Sequence, residues 1–129
     1  LIAYFKSAQI AIQSENIIGQ TNAYASLAGV YTITKNYGSA QKYYNMALEI
    51  GQNKLDANKL ADINLNKGSL FLLMEQYDSA IIQFNKAQKN YHLKNNTLGV
   101  AYSLGLIARV KSEEGKLDDA KTKLQEALL

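Results

Sequence analysis

Apolar residues along this chain recur at helical spacing, and the helical stretches themselves recur every forty residues. Tyr37, Ala40, Tyr44 and Ala47 lie three, four and three apart, and the same spacing returns in Tyr77, Ala80, Phe84 and Ala87 and again in Leu117, Ala120, Leu124 and Ala127. Such intervals put each set on one face of an α-helix rather than on a strand. A second stripe precedes each set: Tyr24, Leu27, Ala28 and Tyr31, then Gly68 and Phe71, then Leu104, Ile107 and Ala108. Large and small positions alternate in both stripes. Two helices can pack closely when a small residue on one accepts a large residue from the other. The pattern predicts helices near 17–34, 38–52, 57–74, 78–92, 98–114 and 117–128. Asn53 and Asp56, and then Asn95, Asn96 and Thr97, are candidate N-caps in the two linkers between helix pairs.

These residues resemble the signature of the tetratricopeptide repeat: a bulky residue, Leu, a small residue and Tyr on helix A, then Ala, an aromatic and Ala on helix B. The first unit matches throughout, from Tyr24 to Ala47; the second departs at Asn64 and Lys67, and the third at Lys111. The resemblance implies an all-α fold, a right-handed superhelical solenoid of antiparallel helix hairpins. A single solenoid over 1–129 divides into residues 17–56, 57–96 and 97–129 as three repeats. Residues 1–16 form the end of a preceding one, because Tyr4 and Ser7 stand forty before Tyr44 and Ala47. The usual repeat has about 34 residues, so this is a lengthened type. It is similar to the repeats of kinesin light chains, spindle-orienting G-protein regulators and bacterial peptide-sensing regulators, and to the sensor segments of bacterial transcriptional regulators and histidine kinases. Armadillo and HEAT repeats share the period without the signature and are the alternative fold. Neither end carries the polar face of a terminal repeat. The chain therefore reads as an excerpt of a larger protein, with apolar ends at Leu1, Ile2 and Phe5 and at Leu124, Leu128 and Leu129 that favour self-association.

Composition narrows the function classes. Proline is absent, which suits long helices. Twelve asparagines and nine tyrosines point to a biased composition. The net charge is +3, but charges are dispersed: Arg109 to Leu129 holds five basic and five acidic residues. A nucleic-acid surface would gather cations against a run of phosphates, so none is expected. The longest strictly apolar run, Leu70 to Met74, is far too short to insert in a membrane. There are no cysteines and one histidine, His92, so neither a disulfide framework nor a thiolate metal site is available. No phosphate loop, nucleophile elbow or metalloprotease motif occurs. Glu113-Glu114 and Asp118-Asp119 read as helix-surface charges opposite Lys111, Lys116, Lys121 and Lys123. No catalytic residue, metal or cofactor is expected. The compartment stays open between the cytoplasm and an extracytoplasmic sensor.

What remains is binding. The family's concave groove is lined by A helices, and its inward positions fall here on Asn22, Ser26, Gly29, Thr32 and Ile33; on Asp62, Asn66, Ser69, Leu72 and Leu73; and on Tyr102, Leu106, Arg109, Ser112 and Glu113. Asn66 matches a frequent groove asparagine of the family, whose amide can donate to and accept from a ligand backbone together. Chaperone-tail clamps carry Lys, Asn and Arg at groove sites that read Ala25, Gly29, Asn66, Tyr102 and Leu106 here. With only the asparagine kept, that specificity is not expected. The resemblance thus implies a non-catalytic scaffold for a protein or peptide. The alternatives are a ligand-sensing input domain of a bacterial signalling protein and a structural or oligomerising spacer.

Overall fold

The computed structural model describes residues 2–13 and 16–128. Leu1 and Leu129, and the side chain of Tyr4, lie outside the described residues. Six helices follow in order: α1 Ile2–Gln13, α2 Ile17–Ile33, α3 Tyr37–Gly51, α4 Ala57–Leu73, α5 Tyr77–Leu93 and α6 Thr97–Leu128. No strand occurs among the described residues, and the fold is an all-α helical repeat solenoid.

Helices α2 to α6 start at residues 17, 37, 57, 77 and 97, twenty apart. The residue before each start explains the regularity. Asn16 and Asn36 accept the backbone N–H of Gly19 and Ser39 at 3.0 and 3.4 Å, and Asp56 accepts that of Asn58 at 2.7 Å. Asn96 accepts that of Gly99 at 3.0 Å. Each satisfies a donor that the first helical turn leaves without a partner. The asparagine excess is therefore partly a capping device. Gln76, in the same register, makes no side-chain cap.

The ends of α2, α4 and α5 are equally regular, whereas α3 closes without a left-handed residue. Lys35, Glu75 and Asn95 adopt the left-handed conformation, with φ of 62°, 57° and 53°. Around each, two backbone bonds close the preceding helix: Lys35 N–H to Thr32 O and Asn36 N–H to Tyr31 O at 3.1 and 2.8 Å, with the same pair repeated at Glu75 and at Asn95. These are Schellman motifs, and they reverse the chain within three residues.

Between the helices the small-and-large code operates as the spacing predicts. Ala28, Ala40 and Ala47 are fully buried with Tyr24, Leu27 and Tyr44 in one core cluster. In the next hairpin Ala80 and Phe84 are fully buried with Phe71 and Val110. A β-carbon built on Gly68 would lie 2.6 Å from Cε1 of Phe84, so the ring occupies the space a side chain would need. The two departures in repeat two have separate accommodations. Asn64 is buried, while the Lys67 ammonium lies 5.8 Å from the Phe71 ring centre. Burial, and secondarily the charge of Lys86, lowers the Lys67 pKa. Consecutive hairpins are joined across their linkers by Lys94 with Asp56 at 3.4 Å and by Asn96 donating to Asn58 at 3.2 Å.

One expectation fails. The two helices expected at 98–114 and 117–128 are a single helix, α6, of 32 residues. Gly115 stands in register with the left-handed Lys35 and Glu75, yet no glycine has a positive φ and the helix runs straight through. Lys116 stands in register with the capping asparagines and has no acceptor atom to cap with. Its ammonium instead meets Glu113 at 3.4 Å, one turn back along the same helix. Gln76, forty residues earlier, also lacks a side-chain cap but follows the left-handed Glu75; at Gly115 no left-handed residue interrupts the backbone ladder.

The packing code makes a direct prediction. Ala40→Leu or Ala80→Leu overfills a tight helix crossing and should destabilise the fold by about 1–3 kcal/mol, whereas the exposed Lys89→Ala should stay within about 0.5 kcal/mol. Urea or thermal melts of the three variants check this, and equal, negligible shifts would refute the register.

Candidate partner-binding surface

The inward positions expected from the repeat register lie on accessible faces of α2, α4 and α6. On α2, Asn22 and Ser26 are exposed, Gly29 and Thr32 are half-buried, and Ile33 is 82% exposed. On α4, Asp62 and Asn66 are exposed, Ser69 and Leu72 half-buried, and Leu73 exposed. On α6, Tyr102, Arg109 and Ser112 are exposed, while Leu106 and Glu113 are half-buried.

Several of these side chains are committed locally. The Ser69 hydroxyl donates to Leu65 O at 3.1 Å and that of Thr32 to Ala28 O at 2.8 Å, so both spend their proton on their own helix. Tyr91, buried on α5, donates its hydroxyl to Asp62 Oδ1. Burial, and then this bond, pushes the Tyr91 pKa far above the ordinary tyrosine range. Asn66 differs: it is exposed, and its amide has no hydrogen bond to the described residues.

One depression joins two of the three helices. Leu72 and Leu73 of α4 meet Arg109 and Glu113 of α6, with Glu75 and Tyr77 at the rim, around a volume of about 230 Å³. Apolar and charged groups thus adjoin in this depression. Asn22, Ser26 and Ile33 lie on the open surface of α2, apart from this depression.

A second feature escaped the sequence. Phe5, Tyr24, Leu27, Tyr43 and Met46, with Gln9 and Lys42, surround a cavity of about 190 Å³ between α1, α2 and α3. Two of its rings belong to a stack: Tyr43 lies 5.9 Å from Tyr24 at 20° and, behind the cavity lining, 5.6 Å from Tyr31 at 1°. Phe5 meets Tyr31 edge-on at 6.4 Å. The available signal was Tyr43, an extra tyrosine beside the packing position Tyr44, within a tyrosine excess that composition alone left without a role. His92 lies exposed in the last turn of α5. Among the described residues no group of His, Asp and Glu could hold a metal.

A family profile for the tetratricopeptide repeat matches residues 20–93, more than half of the chain. The chain belongs to the tetratricopeptide repeat family. Members of this family generally mediate protein–protein interaction, and the all-helical repeat fold is typically a non-catalytic scaffold. Among solved structures, BtubC (BKLC) from P. vanneervenii has the same fold, with a TM-score of 0.71 and 20% identity. The alignment covers 83% of this chain and 44% of that one, so this tetratricopeptide chain spans less than half of BtubC. No curated protein matches the sequence. No helix among the described residues is long and apolar enough to cross a membrane.

The Tyr91–Asp62 bond yields a pH prediction. A phenol whose folded pKa is raised stabilises the fold fully below the unfolded pKa of about 10 and loses that contribution as pH rises above it. Tyr91→Phe should cost about 1 kcal/mol at neutral pH. The gap between wild type and variant should close in alkaline buffer, and phenolate absorbance should lose its last-titrating tyrosine. A gap unchanged by alkali would show that the phenol is not the source.

Proposed function

We propose that this chain is a non-catalytic scaffold that holds an extended protein or peptide segment along its A-helix surface, within a larger protein. The observation that carries this reading is Asn66, exposed on α4 with its amide uncommitted, on the same helix as Leu72 and Leu73. An amide that can donate and accept suits a ligand backbone. The depression beside Leu72 suits one apolar side chain, and Arg109 with Glu113 supplies charge selectivity further along. The helix starts, twenty residues apart, support a lengthened forty-residue unit. In this reading residues 17–56 and 57–96 are two hairpin units, 97–129 is a third in sequence register that forms the single helix α6, and α1, packed on α2, is the close of an earlier one.

A sensor of small molecules is the second reading, favoured by the aromatic cavity between α1 and α3. Its volume of about 190 Å³ is below the roughly 300–1,000 Å³ of sites that enclose a whole ligand. It is better matched to a single side chain of a bound segment, with Lys42 5.9 Å from the Tyr43 ring centre at its edge.

The test uses a peptide selected against the chain from a random library. Asn66→Ala should weaken its binding by roughly 1–3 kcal/mol, the cost of leaving backbone groups unpaired, with little change in melting temperature. Lys89→Ala, on the outer surface of α5, should leave affinity alone. If Asn66→Ala bound equally well while outer-surface changes abolished binding, the scaffold would be working through its convex side.

A further inference from the structure

The groove that α3 and α5 form over α4 holds a further cavity, of about 430 Å³. It stands one repeat on from the aromatic cavity between α1 and α3, in the same register. Gln9, Tyr24, Leu27, Tyr43 and Met46 line the first. Their counterparts forty residues later are Glu49, Asn64, Lys67, Gln83 and Lys86. Each apolar or aromatic position has become an amide or a lysine, and the one amide has become a carboxylate. Glu49, Asn64 and Lys86 line the second cavity, joined by Gln52 and Asn90. The exchange leaves polar groups unpaired where the fold has removed water. Asn64 is 5% exposed, and its amide has no hydrogen bond to the described residues. Gln83 is 7% exposed, and its buried Oε1 has no donor in reach. Tyr24 and Tyr43 stack at 5.9 Å, whereas Asn64 and Gln83 make no bond to each other. Lys67 is half-buried, and neither it nor Lys86 has an ion pair among the described residues. Unpartnered polar groups of this kind cost stability that the leucine or tyrosine of another repeat would not.

We propose that this cavity is a binding site for a short zwitterionic peptide, one with a free ammonium and a free carboxylate. The charges on its walls are opposite in sign and come from the two helices that flank α4: Glu49 from α3 and Lys86 from α5. No ion pair joins them, so each is available to one terminus of a ligand. Lys67 lies close enough for the charge of Lys86 to lower its pKa, after burial, and a carboxylate at that side relieves the repulsion between them. The amides of Asn64, Gln52 and Asn90 can each donate and accept, which matches the peptide groups of a ligand backbone. Leu48 and Leu60 supply apolar lining for its side chains. Size agrees as well. About 430 Å³ falls within the roughly 300–1,000 Å³ of sites that enclose a whole ligand, where the aromatic cavity does not. An internal segment of a longer chain would bring no termini to Glu49 and Lys86, so the two charges select free ends. The cavity shares no residue with the Asn66 surface, so either assignment can fail while the other stands.

The probes are trialanine with both termini free, its N-acetyl form and its C-amide form, titrated into the whole chain by calorimetry and followed by backbone amide NMR shifts. Free trialanine should bind saturably at millimolar concentration or below. Each blocked form should bind about tenfold more weakly, the loss of one hydrogen-bonded charge. Glu49→Gln, which takes the residue type of Gln9, should erase the penalty for N-acetylation. Lys86→Met, which takes that of Met46, should erase the penalty for the C-amide. Both positions are exposed, so both variants should fold. Lys111→Ala removes a charge from α6, away from the cavity, and should change neither penalty. Asn64→Leu, which takes the residue type of Leu104, separates binding from structure. An apolar side chain in place of a buried, unpartnered amide should raise the melting temperature of the ligand-free chain, yet weaken trialanine roughly tenfold or more. Absence of saturable trialanine binding at millimolar concentration overturns the proposal, the cavity then holding water alone. Binding that ignores the blocked termini, or penalties that survive Glu49→Gln and Lys86→Met, overturns it equally. So does an Asn64→Leu chain that folds but is less stable than wild type, because the amide would then be a structural group. Should Asn64→Leu fail to fold, the two terminal penalties decide alone.

Discussion

The close approach of helix backbones at small residues is the constraint on which the rest of the molecule depends. Ala28, Ala40, Ala47, Ala80 and Ala87 have no measurable exposure, and the Phe84 ring fills the place where Gly68 lacks a side chain. At such crossings an added methylene forces a ring or a backbone to shift, because the interior is already packed to crystal density. The ring packing in turn sets the depth of each hairpin. It thereby sets which side of each A helix remains in water, and so which residues are available to a partner.

That constraint was legible in the sequence because it is periodic. Alanines forty residues apart, with a ring or a leucine four further on, gave the first two helix pairs and their register. The failure at α6 has the same origin. Leu117, Ala120, Leu124 and Ala127 carry the packing pattern of a second helix without interruption, and Gly115 is well suited to a left-handed turn. What differs is the turn itself: Glu75 adopts the left-handed conformation and breaks the helix although Gln76 supplies no cap, whereas Gly115 stays helical, and packing spacing does not encode that choice. The tyrosine stack was missed for a related reason. Tyr43 and Tyr31 meet across two helices through the angle at which α2 and α3 cross, and spacing within one helix does not encode that angle.

The turns divide the work differently from the core. Left-handed Lys35, Glu75 and Asn95 are not glycines, so each reversal holds a conformation that costs an L-residue of order 1 kcal/mol. The Schellman bonds around each turn offset that cost. The bridges from Asp56 to Lys94 and from Asn58 to Asn96 then tie neighbouring linkers to each other. The backbone hydrogen bond from Asn58, and secondarily Lys94, hold the Asp56 carboxyl below its usual pKa. Contacts run mainly between successive helices, so stability is close to a sum over neighbours.

The bond from Tyr91 to Asp62 has a further consequence for recognition. Asp62 lies on the same exposed helix as Asn66, but its Oδ1 is taken by a phenol that is itself buried in the interior. A free surface aspartate samples several rotamers, and a ligand must freeze it on contact. Here the bond to Tyr91 restricts that choice, and the residue remains exposed at the surface. A cation arriving there meets an acceptor whose ordering was completed on folding, whereas the neighbouring Asn66 must still be ordered by whatever it holds. Within two turns of one helix, the surface therefore combines a rigid anionic point with an adaptable amide.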